Sequence, residues 1–162
     1  MTNSRRKGKS GELEACRALE GVTRFRWERT AQSCGKWAAD IWSPDLARAI
    51  HVEVKRYGEG ITHLAKRVEK WGLVLTHDDL YVTRLSAWRV ALEEFPPANT
   101  AKRHGLVAEW VAQAVRDAGD GEIPVVLFRQ DGSPWYVAWR YGDDDRLGEA
   151  MAGAWGTYAP TA

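Results

Sequence analysis

The order of hydrophobic periodicities along the chain predicts an α/β fold with a central mixed β-sheet flanked by helices. Three observations carry that expectation. Residues 11–20 place Leu13, Cys16 and Leu19 at helical spacing; residues 49–55 alternate as a strand does; and residues 106–118 form a helical stripe followed by two strand-like runs. With 162 residues, 44% hydrophobic and 28% charged, the chain has enough apolar material for one domain with its own core.

The first helix is expected over 11–20, with Ser10 as N-cap and Gly21 just past its end. Glu12 lies in its first turn and leans to the same side as Cys16 and Leu19. Residues 23–30 alternate aromatic and basic side chains and read as a strand. A small polar loop at 31–36, containing Ser33 and Cys34, leads into a short strand at 39–42. Ser43-Pro44-Asp45 then carries turn residues. In the strand at 49–55, Ile50, Val52 and Val54 share one face, and His51, Glu53 and Lys55 share the other. If 39–42 and 49–54 form a hairpin, Asp40 lies beside Glu53.

Further on, 61–71 reads as a basic helix, 80–85 as a strand and 86–95 as a helix ended by Pro96-Pro97. The stripe Leu106, Trp110, Val111 and Ala114 marks the helix at 106–118. Residues 123–129 and 135–140 form a hairpin around Asp131-Gly132-Ser133-Pro134. Trp110, Trp135 and Trp139 fit core positions better than base-stacking platforms. Residues 151–162 are rich in small side chains and are expected to be a flexible tail.

The chemistry is concentrated at Asp40 and Glu53-Val54-Lys55. Two neighbouring carboxylates are costly unless a cation lies between them, and hard oxygen ligands favour Mg²⁺ or Mn²⁺. Such an ion activates water and polarises a phosphodiester, and Lys55 could orient the water or offset charge growing on phosphorane oxygens. The plainer alternative is a solvated strand face with a Glu53–Lys55 ion pair worth roughly 0–1 kcal/mol. Asp45, in Pro44-Asp45, is a rival acid, but its turn position would aim it at water. Glu12 is either a first-turn acid favoured by the helix dipole or a third acid over the sheet.

Net charge is only +1, yet its distribution is uneven. Arg5, Arg6, Lys7 and Lys9 precede the first acid, and Arg24, Arg26, Arg29 and Lys36 precede Asp40. Basic groups flanking a carboxylate centre suit a phosphate backbone; a basic tail beside a solvated strand is the alternative. Cys16 and Cys34 form neither a metal spacing nor a disulfide framework. No apolar run approaches the roughly 20 residues of a membrane span, and the basic start lacks a signal-like apolar core. A soluble, cytoplasmic protein with no membrane partner and no small-molecule cofactor is expected.

Lys7-Gly8, Glu12, Ser33, Asp40 and Glu53-Val54-Lys55, in that order, resemble the archaeal-type Holliday junction resolvases of the PD-(D/E)xK nuclease superfamily, as a prokaryotic or phage member would. The resemblance covers residues 6–56. It implies a restriction-endonuclease-like core, a catalytic set of Glu12, Ser33, Asp40, Glu53 and Lys55, and a metal held by Asp40, Glu53 and Glu12. It also implies a basic DNA-contacting start at Arg6 and Lys7, Mg²⁺ or Mn²⁺ as cofactor, and a homodimer acting on four-way DNA junctions. Together with the basic distribution, it gives Arg5, Arg6, Lys7, Lys9, Arg29, Lys36 and Arg56 as expected DNA contacts. Ala39 stands where the superfamily usually has proline before the first acid. Another nuclease of the superfamily, cutting duplex, flap or nicked DNA, and a noncatalytic DNA-binding protein of the same fold remain alternatives. Gln113 is either a site glutamine or an exposed helix residue. Residues 58–104 have no counterpart in the minimal resolvase and are expected to be an inserted subdomain after the catalytic strand. His63, Lys66, Arg67 and Lys70 would give that insertion a basic face.

Overall fold

A computed structural model describes residues 2–31, 38–46 and 49–155, with side chains from residue 8 onward. Helix α1 spans Thr2–Val22 and is followed by strands β1 (Glu28–Arg29), β2 (Ile41–Trp42) and β3 (Ile50–Tyr57). Then come α2 (Thr62–Trp71), β4 (Leu73–Thr76), β5 (Leu80–Arg84), α3 (Trp88–Glu93) and β6 (Asn99–Ala101). The chain continues through α4 (Gly105–Asp117), β7 (Ile123–Gln130), β8 (Tyr136–Arg140) and α5 (Asp144–Trp155).

All eight strands belong to one mixed sheet, ordered β1-β2-β3-β7-β8-β5-β4-β6. The parallel pair β3–β7 lies near its middle, in a register that sets Glu53 opposite Val126 and Lys55 opposite Phe128. The expected hairpin is present as β2 antiparallel to β3, with Ile41 opposite Val52. Two apolar cores cover the two faces. One joins Ala15, Cys16 and Leu19 of α1, and Leu147, Met151 and Trp155 of α5, to Ile50, Val52, Val125 and Leu127. The other joins Leu64 and Val68 of α2, and Val107, Trp110, Val111 and Ala114 of α4, to Val126 and Phe128. The protein is therefore α/β, a mixed sheet between helices. Because Cβ positions alternate along β3, Glu53 and Lys55 project toward the α4 layer while Val52 and Val54 face α1.

Several elements differ from the sequence expectation. Helix α1 begins at residue 2, so Ser10 is an interior helical residue whose Oγ donates to Glu14 instead of capping. The strand expected at 23–30 shrinks to β1, because side chains take the backbone donors a neighbouring strand would have used. Glu20 accepts from Trp27 N–H at 3.1 Å and Asp45 from Arg26 N–H at 3.0 Å. Residues 151–155, expected in a tail, close α5, where Met151 and Trp155 are buried. Residues 58–104 supply α2, β4, β5, α3 and β6, and β5 pairs with β8, so this segment extends the same sheet. Trp110, Trp135 and Trp139 are buried as expected.

Candidate active site

At the start of β2, Asp40 N–H still bonds Val52 in ladder fashion, at 3.0 Å. One step along β3, the Asp40 carboxylate replaces the backbone: Val54 N–H donates to Asp40 Oδ2 at 2.7 Å. The hairpin thus delivers Asp40 to the strand of Glu53, as the expected pairing of 39–42 with 49–54 predicted. Burial, then the neighbouring Glu53 charge, push the Asp40 carboxyl up to about 7, against the pull of the Val54 hydrogen bond. Glu53, only 4% exposed, goes the other way. Burial alone would raise it, but hydrogen bonds to His51 and Asp40 and the charges of His51 and Lys55 hold it below the usual carboxylate range. The pair behaves as one acid and one carboxylate sharing a proton, which is how two confined carboxyls avoid two adjacent charges.

Lys55, two residues along the same face, is held from α4, its Nζ donating to Gln113 Oε1 at 2.9 Å. Gln113 therefore faces the site and is not a free surface residue. Beyond it, a cleft of about 440 Å³ is lined by Lys55, Tyr57, Glu109, Gln113 and Arg116, among others. The cleft lets solvent or substrate reach the ammonium from the α4 side.

Glu12 lies close enough for its charge to add to the rise of Asp40, but its Oε2 accepts from Arg29 Nε at 2.7 Å. Arg29, expected to meet DNA, is thus in an ion pair. Arg56 is likewise engaged, with Glu14 at 2.9 Å and Asp131 at 3.1 Å. Asp45 is exposed on a single-turn 3₁₀ helix, Pro44–Leu46, with its carboxylate on Arg26 N–H, which leaves Asp40 as the acid beside Glu53. Lys9 is exposed on α1. Ser33 and Lys36 lie outside the described residues, and Arg5, Arg6 and Lys7 lie on α1 where side chains are not described.

One feature had no role in the sequence reading. His51 is 1% exposed, with Nε2 2.8 Å from Glu53 Oε1 and Nδ1 3.4 Å from Glu122 Oε2. Burial alone would lower the imidazole, but the hydrogen bond to Glu53 and the charges of Glu53, Glu122 and Asp117 outweigh it and hold it above the ordinary value. The two-residue spacing of His51 and Glu53 on one strand face was a usable signal. Glu122, distant in sequence, offered none.

Among the described residues no three His, Cys, Asp or Glu side chains are disposed to hold a metal ion. The donor chemistry of Asp40 and Glu53 nevertheless fits Mg²⁺ or Mn²⁺, because Mg²⁺ commonly takes one or two carboxylates and completes its shell with water and substrate phosphate. Val54 uses one oxygen of Asp40 and His51 one of Glu53, leaving a second oxygen on each carboxyl. A divalent cation would take the place of the shared proton. Fold and site together define an α/β protein with a carboxylate and a lysine on one strand of its mixed sheet and a second carboxyl beside them from the residue just before β2. No family model, curated protein or solved structure matches the chain. No helix among the described residues is long and apolar enough to cross a membrane.

Proposed function

We propose that the chain is a metal-dependent endodeoxyribonuclease of the PD-(D/E)xK type, built on a restriction-endonuclease-like core, that makes paired nicks in four-way DNA junctions as a homodimer. The observation that carries this reading is the confined Asp40–Glu53 pair together with Lys55, two residues along β3 from Glu53, which itself lines an open cleft. Bound at the two carboxyls, Mg²⁺ or Mn²⁺ would supply Lewis-acid activation of water and phosphate. Asp40 and Glu53 fix the position from which water attacks phosphorus in line. Lys55, steadied by Gln113, offsets charge as it develops on the phosphorane oxygens. Cleavage of the bond to the 3′ oxygen leaves a 5′-phosphate, as the resemblance implies. A twofold dimer presents two such sites to a pseudo-symmetric substrate. Selectivity for junctions would then follow from dimer geometry and DNA shape more than from base contacts.

A second reading, a DNA-binding protein of the same fold without cleavage, draws support from Glu12, whose carboxylate is engaged by Arg29. One assay separates the two. Labelled four-way junction, flap and linear duplex are each incubated with Mg²⁺, Mn²⁺ or chelator. Symmetric, metal-dependent nicking confined to the junction is the expected result. Cutting of flap or duplex instead would move the activity to another nuclease class, and metal-independent binding without cutting would favour the second reading.

A further inference from the structure

We infer that His51 is a positioning residue: seated between Glu53 and Glu122 and hydrogen-bonded to the first, it fixes the Glu53 carboxylate so that its second oxygen faces Asp40. This rests on the metal-dependent reading above. The geometry is specific. His51 and Glu53 are i and i+2 on β3, so their side chains stand side by side on the α4 face, and the ring reaches Glu53 Oε1 at 2.8 Å. The other ring nitrogen, Nδ1, is fully buried and has no hydrogen-bond partner among the described residues; the nearest acid is Glu122 Oε2 at 3.4 Å.

Glu122 is itself tied down. It precedes β7, whose register sets Pro124 opposite His51, and Gly119 N–H in the turn after α4 donates to Glu122 Oε2 at 2.9 Å. A side chain at Gly119 would meet the Glu122 carboxylate at 3.4 Å, so this turn closely fits the anchor. The contacts therefore run from the turn at Gly119 through Glu122 and a fully buried ring to one oxygen of the Glu53 carboxylate. A glutamate left to itself on a strand has three torsions free to turn its oxygens. This one has Oε1 committed, and the remaining oxygen is directed by default. Carboxylate–histidine arrangements of this kind orient metal ligands, and losing one typically costs 10–100-fold in metal affinity or activity.

The test measures Mn²⁺ binding by calorimetry, and single-turnover junction cleavage alongside it, in the intact protein. His51→Phe keeps a buried ring without the hydrogen bond, His51→Gln keeps a donor within reach of Glu53, and Glu122→Ala removes the anchor from a partly exposed position. Expected are a roughly 10–100-fold weaker Mn²⁺ affinity in His51→Phe, partial recovery in His51→Gln, and a smaller loss in the same direction in Glu122→Ala. Circular dichroism identifies variants that fold, and if His51→Phe does not, His51→Gln compared with Glu122→Ala decides the matter. Unchanged Mn²⁺ affinity in the folded variants, with the wild type binding normally, overturns the positioning role alone. A wild type that binds Mn²⁺ no better than Asp40→Asn overturns the metal-dependent reading, and the positioning role with it.

Discussion

Strand β3 carries two charged clusters, one on each face, and they are built on opposite principles. On one face Arg56 meets Glu14 and Asp131, and Arg129 of β7 joins the same Glu14, so each charge has a partner of opposite sign. These side chains are 22–49% exposed. On the other face, with Glu53 three residues before Arg56, Asp40 and Glu53 confine two carboxyls at depth that resist carrying charge together, and Lys55 is held by a neutral amide. The matched cluster satisfies itself and contributes little, since water and salt screen it. The unmatched cluster is unfavourable as it stands and persists because β2, β3 and α4 over-determine it. Local cost held in place by the scaffold supports the catalytic reading proposed for this pair.

The largest effect expected from this contrast is on cleavage. Glu53→Gln or Asp40→Asn should reduce junction nicking by at least about 100-fold, the scale seen when one preorganised electrostatic group is removed from an active site. Binding of the junction should persist, because phosphate contacts supply most of the affinity. Arg56→Met, on the opposite face of β3 and three residues from Glu53, should leave the single-turnover rate of bound junction within about threefold, well below the tenfold that 1.36 kcal/mol of barrier represents. Equal losses at both faces, measured with pre-bound substrate, would erase the distinction.

How much of this could be read in the sequence depends on the range of the contacts. The alternation of residues 49–55 put Glu53 and Lys55 on one face, and the Ser43-Pro44-Asp45 turn put Asp40 beside them. Both inferences needed only local periodicity and turn chemistry, and both appear in the structure. Helix α4 and the strands β7 and β8 were legible for the same reason. Helix α5 was hidden because Gly148, Ala150, Ala152 and Gly153 dilute the stripe formed by Leu147, Met151 and Trp155. Strand β6 is three residues long and is defined by pairing with β4, which no local pattern announces. The strand at 23–30 was over-read because long-range carboxylates, Glu20 and Asp45, capture its backbone donors. The same holds for the site. Lys55 and Glu53 were visible and Gln113 was named as one of two alternatives, whereas Glu122, which meets the His51 ring more than fifty residues away in sequence, had no local signal.

A second way to sharpen the contrast is pH. Asp40 has its folded-state value raised from 3.8 to about 7, so between those limits the folded protein holds a proton that the unfolded chain releases. Stability must then fall as pH rises through this window. His51, also raised, acts in the same direction as pH rises through its own folded value. Glu53, lowered, contributes stability that is lost only as pH drops below the ordinary 4.5. Chelator-treated protein should therefore lose stability between about pH 4 and pH 7, read as a falling denaturant midpoint, and Asp40→Asn should flatten that slope. Adding Mg²⁺ should flatten it too, because the ion replaces the proton. A midpoint that rises across this range in chelator would contradict the confined carboxyl pair.

The smallest effect belongs to the matched face. Arg56 and Glu14 are 28% and 31% exposed and separated by 2.9 Å, a geometry open to solvent screening on both partners. A double-mutant cycle of Arg56→Met and Glu14→Gln should give a coupling of about 0.2–1 kcal/mol, the range measured for exposed pairs. Because Glu14 also meets Arg129 at 3.3 Å and Arg56 also meets Asp131, each single variant leaves its former partner a second ion pair, which keeps the coupling at the lower end. Raising the salt from 0.1 to 1 M shortens the screening length from about 10 to about 3 Å and should shrink the coupling further. A coupling above about 2 kcal/mol that does not weaken with salt would mean that this cluster, too, is electrostatically buried. Both faces of β3 would then hold electrostatically buried charge, and only the pairing of two carboxyls at Asp40 and Glu53 would set the second face apart.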